Sequence, residues 1–404
     1  MKGYQFAMFL TIFLTIFLTG NIYIFIRGWQ ALPVNNGVRA VYSALFLFAA
    51  FSFIIGQFTR RSGLFENDTT LTLIGSIWLA FILYVLLIVI IIDLVRSMNF
   101  FFHFLPARVV ETQCIASLLK LNIPLTLFIG TVFVACSIVI IGIITASNPT
   151  VKKIDIKIDK KANNINSLNI AMASDIHLGK IAGRKKFQSF VDTINSLEPD
   201  IVLLVGDFID RTIEPLIKDD IGSLIESIHS KYGVYAVTGN HEYFGGVSKS
   251  VDFMTKHKIN VLLDESIEID QSFLLVGRED ISLNRFTERK RKTLAELLNG
   301  KRTGLPVIVM DHQPSSINES VKNMADLHLS GHTHNGQLWP INYITNALFE
   351  VSCGYAKIDN TNIYVTKGYG TWGPPIRTTG RPEIVFLQIA FNEKKYYIDG
   401  TLIK

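Results

Sequence analysis

Polar positions all but vanish from four stretches of the first 150 residues: Phe6–Ile26, Val38–Phe58, Leu71–Ile92 and Leu125–Ala146. Each is close to the ~20 apolar residues that carry a helix across the hydrocarbon core of a bilayer. Four such runs in series predict a four-span α-helical membrane domain rather than a soluble apolar core. A signal peptide is the other reading of the first run, but that run is long and no clear small-residue cleavage site follows it.

After Val151 the pattern changes. "VKKIDIKIDK" alternates apolar and polar positions, as a half-exposed strand does. From Leu168 the chain repeats an apolar strand, a polar turn and an amphipathic helix. Strands are predicted at Leu168–Ala173, Asp200–Val205, Val234–Val237, Phe273–Val276, Pro306–Met310 and Leu327–Ser330. Helices are predicted at Arg184–Leu197 and Ile217–His229, and two later strands at Asn362–Lys367 and Glu383–Phe391. This is an α/β pattern. It divides the chain into a transmembrane domain, residues 1–150, and an α/β domain, residues 151–404.

Composition sharpens the division. The chain has 404 residues, 49% of them hydrophobic, with a mean hydropathy of +0.32. The apolar excess lies in the first domain. Net charge is only +5, and no basic helix or aromatic stacking face stands out, so nucleic acid is not an expected partner. Cys114, Cys136 and Cys353 have neither disulfide nor metal-ligand spacing. Four spans put both termini on one side. That side holds Lys2, Arg60, Arg61, Lys152, Lys153, Lys157, Lys160 and Lys161, against Arg27, Arg39, Arg96, Arg108 and Lys120 on the other. The excess of basic residues predicts a cytoplasmic α/β domain on a multi-pass cell (inner) membrane protein.

The candidate chemistry follows the strands. "SDIHLG" brings Asp175 and His177, and "GDFID" brings Asp207 and Asp210. "GNHE" brings Asn240, His241 and Glu242. "DHQP" brings His312, and "GHTH" brings His332 and His334. In α/β sheets, sites gather at the carboxyl ends of parallel strands. Carboxylate, amide and imidazole donors suit Mn, Fe or Zn. Seven such groups exceed what one tetrahedral zinc takes, and they suffice for two ions if one carboxylate bridges. Singly, each motif reads as well as a turn or a solvated loop; all five in order at strand ends point to metal. His103, His229, His257 and His328 fall outside the motifs and are given no function.

The ordered set resembles the calcineurin-like metallophosphoesterase superfamily, over about Asn169 to Phe391. The segment "YVTKGYGTWGPPIRTTGRPEIVFL" looks like the tail of its membrane-associated branch, which includes transmembrane metallophosphoesterases and some UDP-2,3-diacylglucosamine hydrolases. The resemblance implies a double β-sheet sandwich flanked by helices around two divalent ions. One ion would take Asp175, His177, Asp207 and His334. The other would take Asp207, Asn240, His312 and His332, with Asp207 bridging. His241 matches the catalytic histidine that binds no metal, with Asp210 or Glu242 expected to orient it. Asn335 stands where the branch usually has glycine, a position where Asn tolerates left-handed backbone.

The implied activity is metal-dependent phosphoester hydrolysis. Arg377 matches phosphate in geometry, although an ion pair within the fold explains it equally well. Only "TASNPTVKK" separates the fourth run from the first strand, so the domain is expected close to the bilayer. Trp339, Trp372 and Tyr369 are candidates for an apolar lip, with core packing the alternative. These features favour a lipid-linked phosphodiester or pyrophosphate as substrate, with the UDP-2,3-diacylglucosamine type one candidate. A soluble-nucleotide phosphodiesterase, a metal-binding membrane sensor without turnover and a membrane protein carrying a relic domain are the rival readings.

Overall fold

A computed structural model describes residues 3–62, 69–103, 123–301, 304–392, 396–398 and 401–403. Lys2, Arg108, Cys114 and Lys120 lie outside the described residues. The chain divides into two compact units. The first is built mainly from residues 1–144; the second runs from Thr145 to Trp372 and again from Arg377 onward.

In the first unit the apolar runs are helical: α1 (Gly3–Ala31), α2 (Asn36–Ser62), α3 (Thr69–Phe102) and α4 (Ile123–Ser147). A helix satisfies every backbone polar group within its own segment, which an apolar solvent demands. Among the described residues three stretches are long and apolar enough to cross a membrane: Asn36–Gly56, Thr70–Phe102 and Pro124–Ser147. Polar contacts lock α3 to α1. The Trp78 indole donates to Asn21 Oδ1 at 3.0 Å, and Asp93 pairs with Arg27.

The second unit is a sandwich of two six-stranded mixed sheets. One sheet comprises β1 (Thr150–Ile158), β2 (Ser167–Ala173), β3 (Ile201–Val205), β4 (Val234–Val237), β5 (Ile259–Val261) and β12 (Glu383–Phe391), in the order β1-β12-β2-β3-β4-β5. β2 to β5 are mutually parallel. The other comprises β6 (Glu265–Ile269), β7 (Phe273–Gly277), β8 (Val307–Met310), β9 (Leu327–Ser330), β10 (Gly354–Ile358) and β11 (Thr361–Val365), in the order β10-β11-β9-β8-β7-β6.

Strand alternation decides which face meets which layer. Ile170, Met172, Leu203 and Val205 point inward and pack with Leu275, Ile308, Met310 and Leu329 of the facing sheet. Ala171, Ala173, Val202 and Leu204 point outward, onto the helix Arg184–Ser196. That helix buries Phe187, Phe190, Val191 and Ile194, the i, i+3, i+4, i+7 stripe of a core-facing helix. Because β2, β3, β4, β8 and β9 are all buried on both faces, they read as unbroken apolar runs in the sequence.

Two sequence expectations change. The helix predicted over Ile217–His229 is two short helices, Glu214–Lys218 and Ile221–Glu226. Asp220 sits between them with φ +48°, a left-handed backbone that a continuous helix does not admit. Tyr369 is core rather than lip: it is 1% exposed, and its ring packs 4.9 Å from that of Phe190. Trp339 and Trp372 are exposed, at 46% and 59%.

Candidate metal centre

The five motif loops leave the carboxyl ends of β2, β3, β4, β8 and β9, and the structure brings their side chains into one buried centre. Three overlapping groups of donors form there, Asp175–His177–His334, His177–Asp207–His241 and Asp207–His312–His332, each with ligand atoms within 4.8 Å of one another. His177 Nε2 lies 3.1 Å from His334 Nε2, and His334 Nε2 lies 3.3 Å from Asp175 Oδ1. Asp207 Oδ2 stands between the groups, 3.9 Å from His177 Nε2 and 3.3 Å from His312 Nε2.

Local backbone explains how so many donors converge. Asp175, His177, Asp207, His332 and His334 all have φ between +49° and +71°. Such conformations are strained for non-glycine residues and persist where surrounding contacts enforce them, typically at functional sites. The contacts are visible. The Asp175 carboxylate accepts from Ser174 Oγ at 2.6 Å and from the His332 amide at 3.0 Å. Asp207 Oδ1 accepts from the His241 amide at 2.8 Å. Gly239 is required by close approach: a Cβ there would lie 2.1 Å from Asp207 Oδ1. Asn335 adopts φ +51°, ψ +39°, so asparagine carries the left-handed turn after His334.

Two orphaned atoms test whether the residues fit divalent ions. Asn240 Oδ1 is buried without a hydrogen-bond partner, and His312 Nε2 has no well-directed one. Buried polar atoms are rarely left this way in folded proteins. His312 Nδ1 is 2.9 Å from the Val205 carbonyl, an acceptor only, so Nδ1 carries a hydrogen and Nε2 is the nitrogen left to face a cation; without one, burial disfavours the charged ring but Asp207 and Asp175 raise it well above the usual range. An amide oxygen, imidazole lone pairs and carboxylates facing one space are a donor set for divalent cations, and the residues fit a binuclear centre.

Electrostatics follow from burial and proximity. Burial pushes the Asp207 carboxyl up, but His312, His241 and His177 outweigh it and hold it well below the usual range. Asp175 is likewise held down, by His334 and His312 against burial. Burial and the neighbouring His241 and His334 pull His177 down to about 3, and burial with His312 pulls His332 to about 4. Burial also opposes protonation of His241, yet its bond to Asp210 and the charges of Asp207 and Asp210 raise it to about 9.

Asp210 and Glu242 have different partners. His241 Nδ1 lies 2.7 Å from the Asp210 carbonyl and 3.0 Å from Asp210 Oδ1. Of the two expected alternatives, Asp210 is the one bonded to the His241 ring, and Glu242 is bonded elsewhere. Its carboxylate is fully buried and accepts from the amides of Gly239 (2.7 Å), Ile209 (2.9 Å) and Asp207 (3.2 Å). Burial and the Asp207 charge raise it to about 7, against the pull of those amides. Glu242 therefore clamps the Asp207 loop to the loop bearing Asn240 and His241.

Arg377 also departs from expectation. It is 1% exposed, and among the described residues no carboxylate lies at ion-pair distance from it. Its guanidinium donates to the carbonyls of Gly370 (2.6 Å) and Gly368 (3.3 Å) and approaches His334 Nδ1 at 3.0 Å. It backs a histidine instead of facing solvent phosphate. Sequence reasoning also missed Ser174, hidden as an ordinary residue of "SDIH", and Phe349, whose ring centroid is 6.3 Å from that of His332. No spacing signal marks either.

The sandwich and its strand-end centre define a metallophosphoesterase, and comparison with known proteins agrees. A family model described as calcineurin-like phosphoesterase matches residues 168–336. An uncharacterized metallophosphoesterase of Aquifex aeolicus is 33% identical over 224 residues, covering 55% of this chain and 85% of the relative. The Bos taurus transmembrane protein with metallophosphoesterase domain is 32% identical over 274 residues, covering 63% of this chain but only 61% of its own. Among solved structures, a 5'-nucleotidase precursor of Thermus thermophilus is similar over 51% of this chain and 49% of its own, at 13% identity and a TM-score of 0.35. The chain belongs to the calcineurin-like phosphoesterase family, whose members use two divalent metals to hydrolyse phosphoesters.

Proposed function

We propose that this protein is a binuclear phosphoester hydrolase of the membrane that acts on a lipid-linked phosphodiester or pyrophosphate. The observation that carries the reading is the chain of three donor groups, linked through His177 and Asp207. Asp175, His177, Asp207 and His334 would hold one ion, and Asp207, Asn240, His312 and His332 the other. Two divalent cations supply Lewis acidity to a phosphoryl oxygen and activate water. The protein's own residues supply position and a proton. His241 Nδ1 faces the Asp210 carbonyl and therefore bears a hydrogen, which leaves Nε2 as the nitrogen that protonates the departing oxygen. Asp210 fixes the ring orientation.

An exposed apolar rim supports the lipid reading. The helix Ile341–Leu348 buries none of its residues. Tyr343, Ile344 and Leu348 face solvent together with Trp339 and Trp372. Gln337 ties this rim to the His334 loop, accepting from the Trp372 amide at 2.8 Å and donating to its carbonyl at 2.9 Å. Trp and Tyr favour the bilayer interface. Only Asn148 and Pro149 lie between α4 and β1. A UDP-2,3-diacylglucosamine-type pyrophosphate fits that chemistry. In the same reading α1 is a fourth span and the α/β unit faces the cytoplasm of a cell (inner) membrane. A second reading, a soluble nucleotide phosphodiester, draws on Phe244 and Phe286, which are 46% and 45% exposed. Their ring centroids are 5.6 Å apart, and Phe244 is as close to His241.

The test is hydrolysis of bis-p-nitrophenyl phosphate by the full chain in phospholipid vesicles with manganese, beside His241→Ala. Metal binding without turnover would favour a sensor. Incubation with membrane lipid extract, read by mass spectrometry, then separates the substrate readings by whether a phosphorylated lipid disappears.

A further inference from the structure

The membrane unit contains a charged cleft that the phosphoesterase chemistry does not use. α1 is uncharged up to Arg27, and α3 is uncharged from Thr69 until Asp93. Charges at the end of such runs are costly unless partnered or functional. Here Asp93 pairs with Arg27 and accepts from the Tyr23 hydroxyl. Arg96, one turn further along α3, reaches the same carboxylate oxygen at 3.4 Å. Among the described residues, two guanidiniums thus share one carboxylate and leave one positive charge in excess. Both remain reachable, with Arg27 31% and Arg96 49% exposed at the side chain.

Beside them lies a cavity of about 230 Å³ between α1, α3 and α4. Arg27 and Arg96 line it together with Ile24, Val85, Leu127 and Phe128. Gly28 shapes one wall: a Cβ there would lie 2.2 Å from the Tyr42 hydroxyl and 2.9 Å from the Phe128 ring. The cavity therefore has an apolar floor and a cationic rim at the end of uncharged helical runs, which is the profile of a site for an anionic amphiphile.

We infer that this cleft binds the phosphate headgroup of an anionic phospholipid, with Arg27 and Arg96 on the phosphate and the first acyl methylenes against Ile24, Val85 and Leu127. Guanidinium matches phosphate oxygens in geometry and charge. The lining residues of the cleft belong to the first unit and include none of the metal-centre donors.

The test is native mass spectrometry of the full chain, released from mild detergent after exposure to dioleoyl phosphatidylglycerol, dioleoyl phosphatidylcholine or inorganic phosphate. The wild type is expected to retain phosphatidylglycerol over phosphatidylcholine, and Arg96→Gln to lower that preference about fivefold, the effect of one arginine near a phosphate surface. Arg27→Gln also removes the partner of Asp93, so Arg96→Gln, which keeps that pair, is the deciding variant. Equal retention of the two lipids, undiminished preference in Arg96→Gln, or full displacement of the lipid by millimolar inorganic phosphate would each overturn the inference.

Discussion

His241 and Glu242 are adjacent in sequence yet do different work. The His241 ring is held through Nδ1 by Asp210, so its outward nitrogen is the proton donor of the proposed reaction. His241→Ala is expected to lower kcat on bis-p-nitrophenyl phosphate by about 10²–10⁴, the usual worth of a general acid. Its bound metal, read by elemental analysis, should stay at the wild-type level, because Asp207 and the other donors remain. Glu242 instead satisfies three buried amides. Glu242→Gln turns an amide group toward one of those N–H donors. It should destabilise the α/β unit by about 1–3 kcal/mol, the cost of a buried unsatisfied group. Thermal unfolding checks this; an unchanged midpoint would mean that the clamp contributes nothing.

At the level of elements, the strands that carry the centre were legible because each is buried on both faces and ends at a polar turn. β2, β3, β4, β8 and β9 appear as short apolar runs closed by Ser, Gly, Thr or Asp. The ordered donors at those ends made the site readable as well. Other features leave no mark in one sequence. The edge strands β5 and β10 are short and only partly buried, so their pattern is weak. The break at Asp220 lies within an otherwise helical pattern. The positive φ angles of five donor residues are imposed by tertiary contacts, which no local propensity encodes. Guanidinium chemistry alone points Arg377 to a phosphate or to an ion pair within the fold, whereas its burial behind His334 depends on where the β11–β12 connection runs. The loops themselves are tightly determined. Gly239→Ala would drive a methyl into Asp207, so the variant should lose metal as well as activity while its α/β fold, read by circular dichroism, persists. Retention of full metal content would contradict that packing.

For the whole molecule, the centre is a concentration of buried carboxylates and imidazoles that bound cations would draw together. Removing metal with a chelator should therefore lower the unfolding midpoint of the α/β unit. The shift should correspond to about 2.7 kcal/mol relative to metal held at a hundredfold excess over its Kd, measured by a thermal scan with and without added manganese. The helices long and apolar enough to span a membrane, the exposed Trp339–Trp372 rim and the two-residue passage from α4 to β1 each fit the proposed enzyme of a membrane surface. Asp207 is the residue on which a binuclear centre depends. Anomalous diffraction at the manganese edge, from crystals of the full chain grown with manganese, tests it most directly. Two peaks flanking the Asp207 carboxylate, one beside His177 and His334 and the other beside His312 and His332, are the predicted result. A single peak, or none within coordination distance of Asp207, would contradict it.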